Sequence, residues 1–418
     1  MTRERYAHLD GLRAVAALAV MVEHLLGDLL RQAPNATGPM SLAARSVVES
    51  LSLGRFGVAL FFLISGFVVP FSIRGEQPLR HFAISRLFRL YPALAVLATV
   101  AWLSGDAPPM GNVLANMTMA PLLFGQPWLS PIYWTLFVEL VFYGLVALLF
   151  AAGMLRHIGA LLGVGLGLIA ATVLPVQLRM HGIAGLPVQY LGMHLSFLFL
   201  GLFLRLWLVE RRPGAPLAAS ALGLAQLAAI CAVSSYSLAR GDHFIMEGLT
   251  PVLGAYLIAV AIFLAAVRLE RPRSASLAGI GLISYAMYLF HGPVNAAVYR
   301  ALPLTGQAGD LAIMLICIGL TLALSWLVHR LVERPMIRLG RKLASGRKAS
   351  AVQMPEPKVD GGRPGGHGAP RMVPAHAGQG TDIDDHELAT IVGPAIASVM
   401  LGWLALLAYL VWKIADLP

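Results

Sequence analysis

Charge is scarce in this sequence. Only 12% of its 418 residues are Asp, Glu, Lys or Arg, about half the share of an ordinary soluble domain, which excludes a water-surrounded globule. Cysteine is almost missing. Cys231 and Cys317 both fall inside apolar runs, which excludes a disulfide framework or a Cys-based metal centre. No internal repeat is visible, and no cleavable leader is expected. The first apolar run carries Arg13, Glu23 and His24, which suits a retained span rather than a signal core.

What is present is hydrocarbon. Hydrophobic residues make up 58% of the chain and the mean hydropathy is +0.74. Runs near the 20 residues needed to cross a bilayer recur at roughly 11–30, 56–73, 90–104, 134–153, 158–175, 190–208, 216–236, 247–267, 277–298 and 309–330. The expectation is an all-α, polytopic transmembrane bundle of ten spans over residues 1–344. A disordered Gly/Pro-rich linker is expected over 345–387. A further apolar helix is expected within 388–418, with residues 388–412 as an eleventh span able to pack on the bundle or on a helix partner.

The net charge of +10 reflects topology rather than nucleic-acid binding. With the N-terminus in the cytoplasm, 24 Lys and Arg fall on the inner side and 7 on the outer side. This asymmetry is the positive-inside signature and orients the N-terminus to the cytoplasm; the membrane expected is a bacterial inner one. The basic segment 74–92 is then inside. The segment 104–131, without Lys or Arg and with amphipathic pieces, is an outer loop suited to folding back as a lid.

Ionisable residues at membrane depth are expensive and mark sites. Arg13 and His24 are eleven residues apart. Eleven helical steps return to within roughly 20° of the same face, about 16.5 Å further along the axis. One face thus carries a fixed cation near one surface and an imidazole deeper in. Glu23 lies about 100° from His24. Asp10 has two readings, an N-cap or a partner for Arg13. Glu139 is a carboxylate within a span, read as catalytic, as an arginine partner or as a packing group. His194, His329 and Arg55 are read as structural.

The segment Leu9-Asp10-Gly11-Leu12-Arg13 with His24 resembles the opening signature of the acyltransferase 3 family. Five further segments agree in order: Phe61-Phe62-Leu63-Ile64-Ser65-Gly66-Phe67, the R-x-x-R element at Arg86 and Arg89, Tyr133-Trp134-Thr135-Leu136-Phe137-Val138-Glu139, Ser284-Tyr285-Ala286-Met287-Tyr288-Leu289-Phe290-His291, and Val332-Glu333-Arg334-Pro335. The resemblance covers roughly residues 5–340. It implies a ten-span enzyme that moves an acyl group from cytoplasmic acyl-CoA, here acetyl-CoA, to a hydroxyl across the membrane. Acceptors in the family include O-antigen, exopolysaccharide, peptidoglycan, Nod factor and macrolide sugars. The hydrolase-like domain that follows an eleventh span in some members is not expected here.

The chemistry suits that implication. Acyl transfer to an alcohol needs a base, and a positioned imidazole serves near neutral pH. The developing oxyanion needs a fixed donor or cation. His24 is therefore the expected base, or a transient acyl acceptor, with Arg13, Asp10 and Glu139 completing the catalytic set. Arg86 and Arg89 are expected to hold the CoA phosphates, since guanidinium matches phosphate bidentately. His291, Tyr133, Trp134 and Glu333 are expected to bind the acceptor or support the site. The expected partners are a glycan or lipid-linked sugar acceptor and membrane lipids, with no nucleic acid and no metal. Two alternatives stand: acylation of a macrolide-type sugar, and a non-catalytic glycolipid carrier or flippase. A flippase has no need of the R-x-x-R segment.

Overall fold

An apolar run removed from water must satisfy its backbone polar groups internally, and the helix does this within one segment. The computed structural model describes residues 7–103, 108–182, 190–240, 248–272 and 274–344, and among them there is no strand. The helices follow in chain order: α1 (Ala7–Gln32), α2 (Pro39–Ser50), α3 (Leu53–Val68), α4 (Pro78–Leu103), α5 (Met110–Met117), α6 (Trp134–Ala151), α7 (Ile158–Met180), α8 (Leu191–Leu208), α9 (Ala215–Arg240), α10 (Leu249–Leu269), α11 (Ala275–Ala301), α12 (Asp310–Val328) and α13 (Arg334–Ala344). A π-helical turn, His329–Glu333, joins the last two.

Nine of the described helical stretches are long and apolar enough to cross a membrane. The stretch α12–α13 counts as one of them. α1 is not among the nine. It is 26 residues long, but Asp10, Arg13, Glu23, Asp28 and Arg31 make it too charged. The short span expected at 90–104 is the second half of a longer helix. α4 begins at Pro78 and carries Pro92 inside it, so the basic segment holding Arg86 and Arg89 is helical rather than a loop. The linker and eleventh span expected over 345–418 lie outside the described residues.

α1 lies at the centre, packed chiefly on α11 and α3, while α3 packs in turn on α8. Small residues let these backbones touch. A Cβ at Gly281 would sit 1.9 Å from Asp10 O, and one at Gly66 would sit 1.8 Å from Leu198 O. Gly281 opposes Asp10 and His291 opposes His24, so α1 and α11 run in the same direction.

α11 contains Pro293, which has no N–H to offer the carbonyl four residues earlier. That carbonyl is Leu289 O, and it accepts instead from the Tyr133 hydroxyl at 3.0 Å. The start of α6 thereby repairs α11 two residues from His291. The segment between α4 and α6 is pinned by asparagines: Asn112 and Asn116 donate to Pro127 O at 2.8 and 3.0 Å. This leaves Leu122 and Leu123 exposed at the tip of its turn.

Candidate active site

The α1 face predicted to carry Arg13 and His24 looks into two cavities in succession. The larger, about 760 Å³, is lined by His24, Glu23, Arg55, Trp134, His194 and Tyr190 among others. It lies at the end of the bundle where α1 finishes and where α3, α6 and α8 begin. Trp134 packs on His194 with ring centroids 4.5 Å apart, and Phe62 packs edge-on to Trp134. Leu122 and Trp128 also line it, so the 104–131 segment, read as a lid, does contribute part of this wall.

Within this chamber the protonation of His24 follows from its neighbours. Its Nδ1 is 2.8 Å from Val20 O. A carbonyl only accepts, so in the neutral ring Nδ1 carries the proton and Nε2 keeps the lone pair. The same argument applies to His291, whose Nδ1 is 3.0 Å from Met287 O. Its Nε2 is therefore an acceptor, and it lies 3.2 Å from His24 Nδ1. The His24 Nδ1–H is shared between Val20 O and His291 Nε2, and both contacts hold the same tautomer. One turn further on, Asn295 donates to Asp28 at 3.2 Å, a second rung of the same α1–α11 contact. Chemically, the arrangement leaves His24 Nε2 fit to take a proton or to attack a carbonyl.

The second cavity is narrower, about 140 Å³, and its polar lining includes Arg13, Arg86, Arg89, Glu139, Tyr143 and Ser65. Arg13 Nη1 donates to Asp10 Oδ1 at 2.6 Å. Asp10 lies inside α1 rather than before it, so of its two readings the arginine partner is the one realised. Arg86 donates to Ser72 Oγ at 2.8 Å and lies over the Phe82 and Tyr143 rings at 5.2 and 5.3 Å. Its Nε is buried without a hydrogen-bond partner. Glu139 accepts from Tyr143 and, at 3.4 Å, from Ser65.

The two cavities share Val58, Phe62 and Tyr288 as lining residues. Tyr288 is locked in this septum. Its hydroxyl donates to Ile132 O at 2.8 Å and accepts from Thr135 Oγ1 at 2.8 Å.

Of the residues singled out in the sequence, the fold gathers Arg13, Arg86, Arg89 and Glu139 around the narrow cavity, and His24 and Trp134 around the chamber, with His291 bonded behind His24. Tyr133 lines neither cavity; it is the buried clamp on α11. Glu333 lines neither cavity. It is buried in the π-helical turn and bonded to His329 Nδ1 at 2.7 Å. Three residues were missed as chamber lining: Arg55 and His194, read as structural, and Glu23, placed off the His24 face. Arg55 sits in the first turn of α3 and His194 in that of α8. Their facing direction depends on helix packing, which spacing along one helix does not reveal.

Residues 6–330 match the family model of acyltransferase 3, described as an acyltransferase domain. The chain is also 26% identical over 397 residues to the protein named Acyltransferase MdmB of Streptomyces mycarofaciens, covering 85% of this chain and 96% of that one. No solved structure matches the chain.

Proposed function

The chain belongs to the acyltransferase 3 family and is an acyl-transferring enzyme with membrane-spanning helices, and on that premise we propose that it is an O-acyltransferase carrying an acetyl group from cytoplasmic acetyl-CoA to a hydroxyl of an extracytoplasmic glycan. In this reading α1 is a tenth span, the N-terminus is cytoplasmic and the membrane is a bacterial inner membrane. The 24-to-7 division of Lys and Arg supports that orientation.

The observation that carries the proposal is the pair of cavities meeting at Tyr288, with an arginine cluster on one side and a lone-pair imidazole on the other. At about 140 Å³ the narrow cavity is well below the roughly 300–1,000 Å³ of ordinary ligand sites. It suits the slender pantetheine arm rather than the nucleotide. Arg86 and Arg89 would hold the phosphates at its mouth, and the unpartnered Arg86 Nε suits an anionic ligand. His24 Nε2 removes the proton from the acceptor hydroxyl as its oxygen bonds to the thioester carbon. Arg13, about three helical turns from His24, adds positive charge to the narrow cavity and favours the anionic donor there. The C–S bond then breaks, and the proton held on His24 passes to the departing thiolate, giving the ester and free CoA. Asp10 orients Arg13, and Glu139 is tied into the same cavity wall.

The test is label transfer. Membranes containing the protein, given radiolabelled acetyl-CoA, should place label on a surface-glycan precursor with release of an equal amount of CoA. Donor-independent movement of a glycolipid across vesicles, without thioester cleavage, would replace this reading with the carrier alternative.

A further inference from the structure

A third cavity lies beside the site, a groove of about 620 Å³ between α8, α9 and α10. Its lining is nearly all hydrocarbon and aromatic rings. The one amide there, Gln226, is committed to Met193 O at 2.9 Å. Along α8 the groove runs from Phe197 to Trp207, ten residues or about 15 Å of helix. At its rim Leu224 is 68% exposed and Leu257 54% exposed, so it opens sideways from the bundle, where a bilayer would lie.

Phe197 and Tyr256 line this groove and also the His24 chamber. Their rings pack at 5.1 Å and form a common wall. On one side stand Glu23, Arg55 and His194; on the other the lining is apolar apart from Ser220 and the committed Gln226. An aromatic chamber with a few ionisable groups, sharing this two-ring wall with a long apolar slot, matches an amphiphile with a hydroxylated head and a slender chain. A rigid macrocycle has no part that would follow the slot.

We propose that the groove holds the hydrocarbon chain of a lipid-linked sugar acceptor whose sugar occupies the His24 chamber. The proposal rests on the reading of that chamber as the acceptor side. Entry is then lateral, from the membrane, and the chain sets the depth at which the sugar hydroxyl meets His24.

The test uses the full chain in lipid nanodiscs and a dodecyl glucoside carrying a diazirine at the end of its chain. Illumination should label peptides of α8 and α10 that border the groove, and unlabelled dodecyl glucoside should suppress that label. Gly223 is the place to block the slot, because a Cβ there meets nothing within 4 Å and an indole can fill the space. Gly223→Trp should lose the labelling, whereas Leu217→Trp, on the exposed outer face of α9, should keep it. Failure of free dodecyl glucoside to compete on the unaltered protein overturns the proposal even if Gly223→Trp does not fold. So does a diazirine-bearing phosphatidylglycerol that labels the same peptides equally. Transfer from acetyl-CoA on the same preparation separates the two layers. Transfer without groove labelling overturns only the groove, and groove labelling without transfer overturns the acceptor reading beneath it.

Discussion

The two cavities that meet at Tyr288 are opposites in size and chemistry. The chamber around His24 holds about 760 Å³ and is walled by aromatic rings with a few ionisable groups. The cavity around Arg13 holds about 140 Å³ and gathers three arginines. A wide aromatic chamber suits a bulky, hydroxylated molecule that must be oriented, and a narrow cationic one suits a thin arm attached to phosphates. Under the proposed function, one α1 face would serve donor and acceptor from two separate cavities, with the septum of Val58, Phe62 and Tyr288 between them.

The sharpest way to break this division is at its centre. His24→Ala should lower acyl transfer by about 10²–10⁴-fold, the usual share of a general base, while acyl-CoA affinity measured by calorimetry stays at the wild-type value. Residual turnover above about one percent would remove the imidazole from the chemistry.

On the cationic side, the double variant Arg86→Ala, Arg89→Ala should raise the KM for acetyl-CoA by roughly 10–100-fold, as expected for lost charge-assisted bonds worth about 1.5–3 kcal/mol. The acceptor KM should not move. Lysine at both positions should restore only part of the loss, because the bidentate fork is absent. An unchanged donor KM would detach the narrow cavity from CoA.

A smaller effect probes the scaffold shared by both cavities. Tyr133→Phe leaves Leu289 O without the donor that substitutes for Pro293, which should cost about 1–3 kcal/mol of stability. Thermal unfolding in detergent reads this as a lower midpoint. Both KM values should stay put, since Tyr133 lines neither cavity; a shift in the acceptor KM alone would make it a chamber residue after all.

The smallest expected change is in the aromatic wall. Trp134→Ala should raise the acceptor KM by about 2–10-fold, in line with roughly 0.5–1.5 kcal/mol for an aromatic contact, with donor kinetics intact. An equal effect on the donor would mean that the septum does not separate the two substrates.

Much of the site was legible one helix at a time. The eleven-residue spacing predicted one face for Arg13 and His24, and that face does meet both cavities. The three-residue spacing of Arg86 and Arg89 predicted a shared face if helical, and α4 is helical there. The extent of α4 was hidden because its first half is basic and amphipathic rather than apolar, so hydropathy marked only the second half. Tyr133 and Glu333, expected to bind the acceptor or support the site, line neither cavity; Tyr133 bonds the backbone of α11 two residues from His291, and Glu333 bonds His329 in the π-helical turn. Arg55 and His194 carried no signal of their own, each being a lone polar residue at the start of an apolar helix.

What the sequence by itself determined is whatever depends on spacing within one segment: helical spans, the charge asymmetry, and the α1 face with its cation and imidazole. Those follow from local periodicity and the cost of leaving backbone or charge in hydrocarbon. Only the tertiary structure decided which faces meet. The contact of His291 with His24, the repair of Pro293 by Tyr133, and the wall that Phe197 and Tyr256 share between chamber and groove join residues from dozens to hundreds of positions apart. They depend on backbones approaching closely at Gly66 and Gly281, and that is a property of packed pairs of helices, which no single helix's periodicity encodes.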